Sequence, residues 1–113
     1  MSVPQFLPAV DIPEDYQGKI LLVHVRMGTD SRVLLRGGDL WHREILRAVG
    51  DELSRRGFSD AAVEALGGAW IRQGADGAIV LWGESEEFGR CDFEVTADLI
   101  RTHWADRQIT VMD

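Results

Sequence analysis

The chain has 113 residues, 45% of them hydrophobic and 27% charged, which suits one soluble globular domain with a real core and leaves no room for a second. A formal charge of −7 argues against nonspecific binding to nucleic acid or to anionic lipid, so any anionic ligand needs a local site of backbone N–H groups and a few bases. The single cysteine, Cys91, excludes an internal disulfide, and without a Cys/His cluster no structural zinc framework is expected.

Residues 1–17 hold all three prolines, Pro4, Pro8 and Pro13, and read as an extended arm over a single domain formed by residues 18–113. The opening MSVPQFLPAVDIPEDY lacks the basic start and unbroken apolar run of a signal peptide. No segment is apolar enough to span a bilayer, so a cytoplasmic protein without membrane partners is expected. KILLVHVRM, residues 19–27, alternates Leu21, Val23, Val25 and Met27 with Leu22, His24 and Arg26, a strand pattern with one face better buried. The turn GTDS leads to a second strand over residues 32–36.

Asp39 is the expected N-cap of a helix over residues 40–56, with Ile45, Leu46, Val49 and Leu53 at helical spacing and Gly57 as its stop. Next come a strand at residues 61–66 and two more, WIRQ and AIVLW, around the turn GADG. Thr96 is expected to cap a second helix ending near Trp104, with Val95, Leu99 and Ile100 inward, and residues 107–112 close the chain as a strand. The order ββαβββαβ gives an α+β fold, a six-stranded mixed sheet covered by two helices.

Three histidines are available for chemistry. His24 in mid-strand and His103 at a helix end are most simply structural. His42 differs, because a first-turn position places it beside unpaired N–H groups and at the positive end of the helix dipole. An uncharged imidazole is favoured there, as a general base or nitrogen nucleophile requires, and the same helix start favours an anion beside it. By itself the pattern also fits a half-buried structural residue. No metal-ligand pattern surrounds it, since Glu44 is too close in sequence to share its helix face. Walker, dinucleotide-binding, nucleophile-elbow and zinc-protease motifs are absent. The loop GESEEFG, residues 83–89, is either an anion nest with the Ser85 hydroxyl or a solvated acidic loop, and its three glutamates favour the second. LGGAW permits close backbone approach through Gly67 and Gly68.

Taken in order, PAVDI, KILLVHV, the RGG approach to WHREILRAVGDELSRRG, LGGAWI, IVLWGESEEFG and TADLIRTHWADRQITV resemble the Janus/Ocnus family over nearly the whole chain. The resemblance implies a six-stranded mixed sheet with two helices and metal-independent hydrolysis of phosphohistidine, with no cofactor and a phosphorylated protein or small phosphoramidate as partner. It puts His42 in the catalytic position at the start of the first long helix. Lys19 and Arg36 would bind substrate, the Gly67 carbonyl would orient the histidine, and the backbone at Ser85, Glu86 and Glu87 would hold phosphate. Two departures stand out. Trp70 replaces a phosphate-binding arginine, with Arg72 two residues on and hence on the same strand face as a partial substitute. Glu86 and Glu87 replace small or apolar residues, which weakens binding of a dianion. The departures leave two further readings, a noncatalytic binding or regulatory module on this scaffold, and an enzyme using His42 as acid or base on a less anionic substrate.

Overall fold

The computed structural model describes residues 7–38 and 41–112. Its elements, in chain order, are β1 (Val10–Asp11), β2 (Gly18–Met27), β3 (Asp30–Gly38), α1 (His42–Arg55), β4 (Ala62–Gln73), β5 (Ile79–Trp82), α2 (Phe93–His103) and β6 (Ile109–Met112). The six strands form one mixed sheet in the order β1-β3-β2-β4-β5-β6. The two outer pairs, β1 with β3 and β5 with β6, are parallel, and the inner ones antiparallel.

Alternation along the central strands gives each sheet face its own core. Leu21, Val23, Val25 and Met27 pack with Leu34 against Ile45, Val49 and Leu53 of α1. Ile20 and Leu22 pack on the opposite face with Leu35, Ile71, Ile79 and Leu81, where Ile100 of α2 closes the layer. The alternation in β2 thus serves two buried faces from Ile20 to Val23, and polar side chains stand only on either side of that run, at Lys19 and from His24 onward.

The expected sheet and helix pair are present, with local differences in how the strands arise. Residues 61–66 and WIRQ are parts of one twelve-residue strand, β4, because Gly67 and Gly68 carry the chain through a bulge rather than a turn. Leu66 is the extra residue, since Leu22 pairs with Gly67 while Val23 pairs with Ala65. The sixth strand comes from Val10 and Asp11, which pair with Leu35 and Arg36.

Both helix starts differ from the sequence reading. Asp39 lies outside the described residues, and the N-cap position of α1 is Trp41. Its indole has no acceptor to offer, so the Trp41 carbonyl takes the N–H groups of Glu44 and Ile45. The Glu44 carboxylate reaches back to the Trp41 N–H at 3.4 Å. Asp92, not Thr96, caps α2, its carboxylate accepting from the N–H groups of Glu94 and Val95. Thr96 is fully buried one turn in and donates to the Asp92 carbonyl, and Val95 faces solvent while Ala97 joins Ile100 inside. Asp is as good a cap as Thr, and capping at Asp92 rotates the buried stripe by one residue.

Candidate functional site

A cleft of about 340 Å³ opens where β2 begins, α1 starts and β4 carries its glycines past the loop after β5. Lys19, Trp41, His42, Arg43, Trp70, Glu84, Ser85, Glu86 and Glu87 line it. Strand register builds one wall. Lys19 lies directly opposite Trp70, and Trp70 opposite Trp82, so the three side chains form a row on one sheet face. The two indoles stack with centroids 6.4 Å apart. The Lys19 Nζ stands 4.6 Å from the Trp70 ring centroid and 5.6 Å from that of Trp41, within cation–π range of both. Tyr16 fixes the head of this row. Its hydroxyl accepts from the Gly38 N–H at 2.8 Å and turns its proton toward the carbonyls of Lys19 and Gly38.

His42 is the first residue of α1 and is 7% exposed. Its Nε2 lies 3.2 Å from the Ala69 carbonyl. A carbonyl only accepts, so Nε2 carries the proton and the lone pair of the neutral ring is on Nδ1. Nδ1 has no hydrogen-bond partner among the described residues, and no fully buried side-chain nitrogen or oxygen is left unpaired there. The Nδ1 edge is therefore the part of the ring that meets the cleft. Gly68 lies under the ring, where a Cβ would stand 2.5 Å from Cδ2 and 2.7 Å from Nε2. The carbonyl that orients the histidine thus belongs to Ala69, not to Gly67. Gly67 serves the backbone instead. Its φ is +131°, and a Cβ there would sit 2.6 Å from the Arg90 carbonyl oxygen.

The loop after β5 is tied to these glycines. The Gly68 N–H donates to the Gly89 carbonyl at 2.9 Å, and the Cys91 N–H to the Gly68 carbonyl at 3.2 Å. Within the loop, Ser85 and Gly89 exchange backbone hydrogen bonds, and the buried Ser85 Oγ accepts from the N–H groups of Glu87 and Phe88. Four amides of the expected nest, those of Ser85, Glu87, Phe88 and Gly89, are thus occupied internally. Of the amides at Ser85, Glu86 and Glu87, that of Glu86 alone makes no hydrogen bond among the described residues, and the N–H groups of His42 and Arg43 are likewise open at the helix start. Two cations, Lys19 and Arg43, face three exposed carboxylates, and among the described residues none of the five forms an ion pair.

The sequence reading placed further residues here that the structure locates elsewhere. Arg36 is buried in a separate groove two strands away from β4, where it pairs with Glu52 at 3.2 Å. It also donates to the carbonyls of Pro8, Ala9 and Leu35, so its guanidinium clamps the N-terminal segment to α1. Arg72 does share a strand face with Trp70, but it is exposed, paired with Val80 across the strand, and outside the cleft lining. Lys19, His42, Ser85, Glu86 and Glu87 come together as expected. Trp41, Arg43 and the Ala69 carbonyl were not singled out, while Gly68 was read only as permitting close backbone approach and Glu84 only as part of an acidic loop. The Lys19–Trp70 contact was readable only from a strand register that the sequence leaves open. Cys91 lies behind the glycines, 4% exposed, and burial pushes its thiol up from the ordinary value while the Thr96 hydroxyl partly offsets this. Among the described residues no three His, Cys, Asp or Glu side chains group as metal ligands, and no helix is long and apolar enough to cross a membrane.

A six-stranded mixed sheet with a helix on each face, and a histidine at the first turn of one helix opening into a cleft, defines a small α+β class of protein with one imidazole at its centre. Residues 5–108 match the Janus/Ocnus family, and the chain belongs to it. The chain is 29% identical, over 117 residues, to the 14 kDa phosphohistidine phosphatase of Sus scrofa, an alignment covering 95% of this chain and 90% of that protein.

Proposed function

We propose that this chain hydrolyses a phosphoramidate, phosphohistidine on a protein or peptide, without a metal ion. The observation that carries the reading is the Nδ1 edge of an otherwise buried imidazole, unpartnered and sharing one cleft with Lys19. The similarity to a protein named for phosphohistidine supports the substrate class.

Lys19 and the open N–H groups of Glu86, His42 and Arg43 hold the phosphoryl oxygens and stabilise charge as the P–N bond opens. In one route Nδ1 takes a proton from a water that attacks phosphorus in line, and the leaving imidazole keeps the P–N electron pair and takes a proton from solvent. In the other, Nδ1 attacks phosphorus as the substrate P–N bond breaks, and the leaving imidazole keeps that electron pair and takes a proton from solvent. Water then cleaves the new P–N bond to release phosphate and restore His42. Both routes use the same nitrogen, so a phosphorylated enzyme would carry its phosphoryl group on Nδ1. The exposed carboxylates favour one further reading, a noncatalytic module that binds a cationic partner through this cleft.

Phosphate release from a phosphohistidine peptide, with EDTA present, decides between them. His42→Ala should lower the rate about 10²- to 10⁴-fold while circular dichroism shows an intact fold. A variant that keeps more than roughly a tenth of the rate removes His42 from the chemistry.

A further inference from the structure

We infer that the cleft selects phosphorylated residues that stand next to a lysine or arginine in the substrate chain; the inference rests on the phosphatase reading and deepens it. Four observations lead there. Glu84, Glu86 and Glu87 all line the cleft and are all exposed. None of them pairs with Lys19 or Arg43, although those cations line the same cleft. Lys19 is held instead over the Trp70 indole by the strand register, with its ammonium 4.6 Å from the ring centroid and in no ion pair with these carboxylates. His42, nine-tenths buried, aims an unpartnered nitrogen into the same space, which marks where the reacting atom sits.

A lone phosphoryl dianion meets two cations and three carboxylates in this cleft, a poor match. A phosphoryl group followed or preceded by a basic side chain matches both signs of charge in the cleft. Its oxygens meet Lys19 and the open amides, and its cation meets carboxylates that no residue of the described chain neutralises. Trp41, 63% exposed at the cleft edge, adds an indole surface on which a guanidinium can rest. On this account Glu86 and Glu87 do not merely weaken phosphate binding; they shift selection toward substrates that bring their own counter-charge.

The test compares phosphohistidine peptides that differ only in their neighbours, Lys or Arg on either side against Glu or Ala. The basic-flanked peptides should give kcat/KM about tenfold higher than the acidic-flanked ones. That ratio should shrink in about 0.5 M KCl, where the screening length is only ~4 Å. It should fall to within roughly twofold in the triple variant Glu84→Gln, Glu86→Gln, Glu87→Gln, whose exposed positions leave the melting curve unchanged. Equal rates in the wild type, or a preference that survives in the triple variant, would overturn the inference. The second arm is calorimetric binding of the same peptides carrying a phosphonate mimic of phosphohistidine. If no peptide is hydrolysed, the phosphatase reading fails and this arm still decides: tighter binding of basic-flanked mimics supports the inference, and equal binding sinks it.

Discussion

Replacing Gly68 by alanine asks whether the position of the His42 ring, and not only its presence, matters. The added Cβ would lie 2.5 Å from Cδ2, 2.7 Å from Nε2 and 3.0 Å from the Ser85 Cβ. Non-bonded carbon atoms rest ~3.5–4.0 Å apart, so the ring must retreat by about 1 Å. The 3.2 Å hydrogen bond to the Ala69 carbonyl does not survive that retreat intact. The φ at position 68 is not in the positive range, so the backbone accepts alanine and the perturbation is one of space alone. A displacement of about 1 Å at a reacting group costs on the order of 10²-fold in rate. Overpacking and the weakened hydrogen bond together cost about 1–3 kcal/mol of stability. The expected result is therefore a kcat/KM for phosphohistidine peptide reduced ~100-fold in a protein that still unfolds cooperatively in urea. Gly67→Ala is the matched contrast. There the Cβ meets the Arg90 backbone and φ is +131°, so stability falls first and the surviving folded fraction keeps its ring in place. The reasoning fails if Gly68→Ala retains more than roughly a third of kcat/KM with the His42 ring resonances at their wild-type positions.

Arg36→Ala should lower unfolding free energy in urea by about 3 kcal/mol, because it leaves the Glu52 carboxylate with only its longer contact to Arg56 at 3.8 Å and takes a donor from three carbonyls, yet leave kcat/KM of the folded protein nearly unchanged. Trp70→Ala removes the surface under the Lys19 ammonium and should raise KM several-fold with a smaller change in kcat, and Trp70→Phe should recover part of the loss. Tyr16→Phe removes the hydroxyl that joins Gly38 to Lys19 and should cost about 1 kcal/mol, read as a lower urea midpoint. The Cys91 thiol should resist alkylation by iodoacetamide in the native state and react at once in urea. Because its folded value is raised, the folded state holds the thiol proton more tightly than the unfolded chain does. That contribution to stability is full below ~8.5, the unfolded value, and is lost as pH rises through the folded one, so Cys91→Ala should flatten the alkaline fall in stability.

The sheet was legible where one physical signal dominated, as in the two-residue alternation of β2 and the helical spacing of Ile45, Val49 and Leu53. Strands were also legible at residues 61–66 and 70–73, but not their continuity, because a glycine pair reads locally as a break and only the pairing with β2 shows it to be a bulge. The caps were obscured by competition. Trp41 caps through its carbonyl alone, which no side-chain rule detects, and Asp92 and Thr96 both offer acceptors four residues apart. His42 could be picked out from its place at a helix start, whereas an arginine near the site in sequence, Arg36, turns into a separate groove beside Glu52. The Ala69 carbonyl had no residue-type signal, since every residue carries one.

The group that sets the tautomer of His42 is part of the main chain. No side-chain replacement can delete it, so which nitrogen bears the hydrogen does not depend on the residue type at position 69, although the fully buried Ala69 side chain is itself bound to the core by packing. The walls around that nitrogen, from the indole at 70 to the carboxylates at 84, 86 and 87, are made of side chains and are under no such constraint. A scaffold arranged in this way fixes its reagent in backbone and leaves its choice of partner to surface substitutions.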